Sequence, residues 1–142
     1  MRFWDSSALV ALCLAQPKSR GARAALASDP ELVVWWASAV ECASAIARLH
    51  REQLLTGAEE SDARALLEML RRSWYEVQPG ESVRAQAMRL LRLHPLRAAD
   101  ALQLAAAIEW AGSPPSGGFV SFDDRLRHAA EREGFDVAKR DG

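Results

Sequence analysis

Asp5, Glu41, Asp100 and Asp123 are four carboxylates spread over nearly the whole chain, each where a helix is expected to begin. An oxygen-only donor set of this kind suits a hard divalent cation, Mg²⁺ or Mn²⁺, better than zinc. Gathered in one place, the four would also repel. A like-charge pair ~4 Å apart costs about 4 kcal/mol at an effective dielectric near 20. Bound cations or raised pKa values must relieve that repulsion. Each acid has a plainer explanation too. Asp5 precedes a helix and can be its N-cap. Ser38-x-x-Glu41 is a capping box, so Glu41 can bond back to the Ser38 amide. Asp100 falls in a first helical turn, where an anion suits the dipole, and Arg97 is close enough to pair with it. Asp123 can cap the last long helix, while Ser121-x-x-Asp124 offers a competing box.

The elements that must position these acids alternate along the chain. Met1–Trp4 is a short strand candidate, and Ala8–Ala15 a helical run ended by Pro17. Ser19–Ser28 offers a second short helix. Leu32–Trp36 is an apolar run rich in β-formers, as expected of a strand covered on both faces. Ser38–His50 is helical by its Val40, Ala43, Ile46, Ala47, Leu49 spacing. Thr56-x-x-Glu59 is a capping box that opens a long helix with Leu66, Leu67 and Leu70 as its stripe. Trp74–Val77 is a third strand, Glu81–Leu93 and Arg97–Trp110 are helices split at Pro95, and residues 112–118 form a Gly/Ser/Pro loop. Phe119–Phe122, Asp124–Glu133 and Phe135–Val137 complete the series as strand, helix and strand. Such alternation implies an α/β fold, a mostly parallel sheet of about five short strands between helical layers. In that fold, helices that follow strands begin at the carboxyl edge of the sheet, and so does a helix returning to the next strand. All four acids therefore belong to the edge where open α/β folds place their sites.

Composition narrows the classes. At 142 residues and 15.6 kDa the chain is expected to form one domain spanning residues 1–142. Hydrophobic residues at 49% and charged residues at 26% are the proportions of a soluble globular protein. A net charge of −1 argues against a uniformly basic, DNA-wrapping surface. Lys18 and Lys139 are the only lysines among 18 cations, so the remainder are Arg, whose forks suit phosphates and carboxylates. Cys13 and Cys42 stand in apolar surroundings without a CxxC, which points to buried reduced thiols in a cytosolic, hence cytoplasmic, protein. No apolar run approaches the length of a membrane span. Residues 8–15 weakly imitate a signal peptide, but Asp5 interrupts the positive region, and the expectation is retention.

Four blocks carry a family resemblance: Asp5-Ser6-Ser7-Ala8-Leu9-Val10; Ser38-x-x-Glu41; Leu96 to Ala107, with Asp100; and Phe119-Val120-Ser121-Phe122-Asp123-Asp124-Arg125-Leu126. In order and spacing, over essentially the whole chain, they resemble PIN-domain ribonucleases, above all the VapC-type toxins of toxin–antitoxin pairs. Ser121 stands where many relatives carry Thr, and Asp124 beside Asp123 is a rival for the fourth acidic position. The resemblance implies a three-layer PIN-like α/β/α fold and metal-dependent hydrolysis of RNA. By it, Asp5, Glu41, Asp100 and Asp123 hold one or two Mg²⁺ or Mn²⁺ ions. Ser7, Ser6 and Ser121 would orient ligand carboxylates or the phosphate; apart from the resemblance, Arg97 is the basic residue most expected near RNA phosphate, with a salt bridge to Asp100 as the rival reading. The resemblance further implies a small cognate antitoxin and a homodimer.

Other residues invite rival readings. Trp35-Trp36 can be core packing or a base-stacking platform, and core packing is preferred because both faces of the strand are covered. His94 is expected to meet helix-end carbonyls. Arg71-Arg72, Arg125 and Arg127 are expected to be exposed helix cations. A flavodoxin-like phosphoacceptor module would also gather acids at a sheet edge, but it needs a Lys there, and Lys18 and Lys139 are poorly placed. A catalytically idle binding domain, with acids that only cap helices, is the third alternative.

Overall fold

Apolar side chains on short strands alternate between two faces, and each face finds its own helical layer. The computed structural model describes residues 1–139. Five parallel strands, β1 (Arg2–Trp4), β2 (Leu32–Trp35), β3 (Tyr75–Val77), β4 (Gly118–Val120) and β5 (Asp136–Val137), lie in the order β3-β2-β1-β4-β5. Seven helices connect or flank them: α1 (Ser6–Cys13), α2 (Ser19–Ser28), α3 (Ser38–Arg51), α4 (Gly57–Arg71), α5 (Glu81–Leu93), α6 (Ala98–Ala111) and α7 (Asp124–Arg132). The expected three-layer arrangement is present, and among the described residues the sheet is wholly parallel.

Phe3, Val33, Trp35 and Phe119 point to one layer, where α5, α6 and α7 contribute Leu90, Leu104 and Leu126. Their neighbours Trp4, Val34 and Val120 point to the other, against Leu9 of α1, Ile46 of α3 and Leu67 of α4. This period-two split is why the strands read as continuous apolar runs. Phe3 and Phe119 stack across the β1–β4 pair with ring centroids 5.5 Å apart. Helix α6 is lined with alanines, and Ala101, Ala105, Ala106 and Ala107 are all fully buried. Small side chains let it lie close to the sheet and to α5.

Several expected boundaries shift for physical reasons. α1 begins at Ser6 rather than Ala8, because Asp5 caps it by accepting from the Ala8 N–H. Strand β2 ends at Trp35, which is buried, whereas Trp36 lies past the strand end and is 51% exposed. The Thr56 capping box is complete, with both reciprocal bonds formed. In α4, Ala63 and Leu67 are buried while Leu66 is exposed. Val40 of α3, expected on the core face, is exposed as well.

Because the chain runs β1 to β2 to β3 on one side and returns to β4 and β5 on the other, strand order reverses between β1 and β4. The α6 alanines pack the returning chain against β2, β3 and α5. Ala105→Leu would overpack this layer by about 1–3 kcal/mol. Thermal unfolding of this variant is expected to fall by roughly 2–10 °C, while the exposed Met88→Gln leaves it unchanged.

Candidate active site

The reversal between β1 and β4 leaves a crevice at the carboxyl ends of these strands, and the chain leaves each of them through a capping acid. Asp5 follows β1 and caps α1; Asp123 follows β4 and caps α7 by accepting from the Leu126 N–H at 3.1 Å. Asp100 arrives in the first turn of α6 and Glu41 in the first turn of α3. All four line one open cavity of about 620 Å³, together with Ser6 and Ser7.

Asp5 is the most deeply set, only 2% exposed. Its carboxylate accepts from Ser7 Oγ at 2.7 Å, from Ser121 Oγ at 2.7 Å and from the Ala8 N–H at 3.0 Å. These hydroxyls are themselves fixed, since Ser7 Oγ accepts from the Phe122 N–H and Ser121 Oγ from the Asp123 N–H. Glu41 is held differently. Ser6 Oγ donates to its Oε1 at 3.3 Å and Gln103 Nε2 to its Oε2 at 3.0 Å. The expected Ser38–Glu41 capping box is absent: Ala37 occupies the cap position without a side-chain bond, and Ser38 Oγ accepts from Gln103 instead. Glu41 is thereby freed from capping and turned toward the cavity.

Electrostatics links the four. Burial pushes the Asp5 carboxyl up to about 6, against the lowering effect of Ser121, Ala8 and Ser7, and the Asp123 charge adds to the rise. Burial also raises Glu41, opposed by Gln103 and Ser6 and assisted by Asp100. Asp100 is raised by burial and by Asp123, while Arg97 pulls it down. None of the four forms an ion pair among the described residues. Arg97 caps α6 by backbone position and lines an adjoining cavity, yet it makes no direct salt bridge to Asp100. Asp124 lines that adjoining cavity and not the main one.

The donor set fits a hard cation: four carboxylates, none in an ion pair among the described residues, on the wall of one open cavity. Among the described residues no three acids, histidines or cysteines stand close enough to close a metal site by themselves. Magnesium does not require a closed cage, because it keeps several waters and uses one or two carboxylates. The open cavity and its oxygen donors match that habit.

A family model described as "PIN domain" matches residues 2–132. The chain belongs to the PIN-domain family. Its members are generally nucleases. Solved structures share the PIN fold across the whole length. A toxin–antitoxin complex from Klebsiella pneumoniae superposes with a TM-score of 0.67 at 16% identity, covering 99% of this chain and 98% of that one. FitAcB from Neisseria gonorrhoeae gives 0.66 at 17% identity, with 99% and 98% coverage. FitAB bound to an IR36 DNA fragment gives 0.66 at 17%, with 96% and 93%. At such identities these likenesses speak to fold alone. Comparison with curated proteins by sequence gives no significant match.

Two site residues escaped the sequence reading as functional candidates. Gln103 is fully buried, joins Glu41 to Ser38, and sits three residues beyond Asp100, the helical spacing that signals a shared face. Lys18 was expected to be badly placed, but it lines the acidic cavity. Its presence does not revive a phosphoacceptor module, since the chain is a PIN domain. His94 corrects another expectation, because its Nε2 lies 2.7 Å from Glu133 Oε2 and not at helix-end carbonyls.

A pH dependence follows from Asp5. A carboxyl raised in the folded state destabilises it above the folded pKa of about 6, and the penalty vanishes below the ordinary value of 3.8. In EDTA, Asp5→Asn is therefore expected to be more stable than wild type at pH 7.5, by up to the order of 3 kcal/mol. The advantage disappears as pH falls from 7 to 4. Denaturant melts of both proteins across that window check it, and a pH-independent difference would refute it.

Proposed function

We propose that this PIN-domain protein is a metal-dependent endoribonuclease acting in the cytoplasm as the toxin of a type II toxin–antitoxin pair. The observation that supports the reading best is the gathering of Asp5, Glu41, Asp100 and Asp123 around one cavity at the reversal of the sheet. These four would hold Mg²⁺ or Mn²⁺. When bound, the cation supplies a water of lowered pKa and neutralises charge on the phosphate and leaving oxygen.

The chain's own groups do the positioning. Ser7 and Ser121 clamp the Asp5 carboxylate between them, fixing which lone pairs face the cavity. Ser6 and Gln103 do the same for Glu41. Arg97, at the rim beside Asp100, is placed to meet a phosphate oxygen of the strand. Hydrolysis by water needs no protein nucleophile, and Cys13 and Cys42 are buried, with their thiols pushed up by desolvation. An idle domain with purely capping acids would have no use for Glu41, which caps nothing and is nevertheless held by two donors.

The antitoxin, which the toxin–antitoxin neighbours and the sequence resemblance support, has an available path. The acidic cavity carries Val10, Val40 and Leu49 on its wall. Leu49 is shared with a second groove lined by Leu14, Leu54, Leu55 and Leu66. An extended segment lying along that groove would bring a basic side chain to the acids.

Two measurements decide between these readings. Purified protein is expected to cleave RNA only with Mg²⁺ or Mn²⁺, and Asp5→Asn or Asp100→Asn to lose more activity than the roughly 10–100-fold expected of Ser121→Ala. Equal cleavage by wild type and both variants would sink the site. A small DNA-binding protein encoded beside this gene is expected to abolish cleavage on co-expression, and Leu49→Asp to relieve that inhibition. Full inhibition of Leu49→Asp would move the antitoxin elsewhere.

A further inference from the structure

We propose that the cavity between the α5–α6 junction and the outer face of α7 is a nucleotide subsite, which takes a flanking nucleotide of the RNA strand. This deepens the nuclease reading and rests on it. The cavity is about 250 Å³, below the roughly 300–1,000 Å³ of drug-sized pockets, so it has room for a single base rather than a separate ligand. Pro95 and Ala129 give it apolar surface, His94 and His128 give it imidazole walls, and Arg125 and Arg132 stand at its rim. Apolar and aromatic faces beside Arg forks are the chemistry that holds unpaired bases and their phosphates.

Its place relative to the acids is the second observation. Asp124 and Arg125 are shared with the adjoining cavity of about 430 Å³, which Arg97, Asp100 and Asp123 complete. Asp100 and Asp123 in turn belong to the main acidic cavity. The three form one continuous path, from carboxylates suited to a cation to guanidiniums suited to a phosphate. A strand whose scissile phosphate lies at the acids would have its next phosphates over Arg97, Arg125 and Arg132.

These cations, like Arg48 and Arg72, are held by no ion pair among the described residues. Arg64, Arg71, Arg84 and Arg89 each pair with a glutamate. Arg97, Arg125 and Arg132 form no ion pair among the described residues, although the chain holds 19 acids. The wall behind them is braced. Glu133 accepts from Arg89 at 2.6 Å and meets His94 Nε2 at 2.7 Å, tying α7 to the end of α5. His94 is itself buried, and its Nδ1 has no protein partner. The braced His94 ring and the His128 ring, beside an apolar slot, offer imidazole faces on which a base can stack.

The test measures binding in the non-cleaving Asp100→Asn background, so that it does not depend on catalysis. The probe is a fluorescein-labelled single-stranded RNA 12-mer, titrated at several salt concentrations. Arg125→Gln with Arg132→Gln is expected to weaken binding at least about tenfold and to lower the salt slope by about 1.4, two contacts at ~0.7 each. The control pair Arg71→Gln with Arg72→Gln, at the C-terminal end of α4, is expected to change neither. His128→Ala is expected to weaken the 12-mer roughly tenfold and to leave an abasic strand of the same length unaffected. Equal losses in both arginine pairs, no loss in the first, or no binding of RNA at all would overturn the subsite. Cleavage is scored separately on wild type. Activity with unchanged binding in the arginine variants sinks the subsite alone, and arginine-dependent binding without cleavage sinks the hydrolysis reading alone.

Discussion

A carboxylate 2% exposed, fed by three donors and matched by no cation among the described residues, sets the terms for the rest of this fold. Burying an ionised group without a partner is costly, and hydrogen bonds offset only part of that cost. Asp5 is kept there by covalent necessity and by geometry: it joins β1 to α1, and its backbone N–H donates to Val120 of the neighbouring strand. The two serines that support it come from different strand ends, Ser7 after β1 and Ser121 after β4. The seam between β1 and β4 must therefore be in register for the network to exist at all. The Phe3–Phe119 stack beneath it supplies that register from the core side.

Capping and chemistry turn out to be the same placement seen at two scales. Asp5 and Asp123 each satisfy a helix N–H with one oxygen. A carboxylate has about four acceptor sites, so capping leaves capacity for another ligand. Helix starts attract anions, and a parallel sheet collects helix starts on one edge. Four capping-type positions scattered in sequence therefore become one concentration of negative charge in space. The carboxyls of Asp5, Glu41 and Asp100 are raised first by burial, and a neighbouring acid adds to the rise in each.

The layers, the parallel sheet and the edge on which the acids fall were legible from apolar periodicity and from the positions of helix starts. Glu41 was read ambiguously because Ser38-x-x-Glu41 satisfies a local rule that the tertiary structure overrides. Gln103, three residues after Asp100, takes Ser38 Oγ as its acceptor, and the helix opens at Ala37 instead. No local pattern announces a contact 65 residues distant in the chain. Trp35 and Trp36 divide between core and solvent because the strand stops between them, and strand ends are set by tertiary pairing more than by propensity. Lys18 stands at the start of α2 and lines the cavity, a placement that no local pattern around it announces.

The charge balance of −1 conceals a strongly polarised surface. Acids are concentrated where the strand order reverses, and Arg97, Arg125 and Arg132, which form no ion pair among the described residues, border them at the start of α6 and along α7. An acidic cavity alone repels a polyanion, so a nuclease that relies on carboxylates must draw its substrate by something else. A bound cation inverts the field at the centre, and the arginine rim extends that attraction outward along the strand. Arg97 stands beside Asp100 and lowers it, with no ion pair between them. A full salt bridge would neutralise both groups and close the path. Proximity without pairing keeps Asp100 available to a cation and Arg97 available to a phosphate.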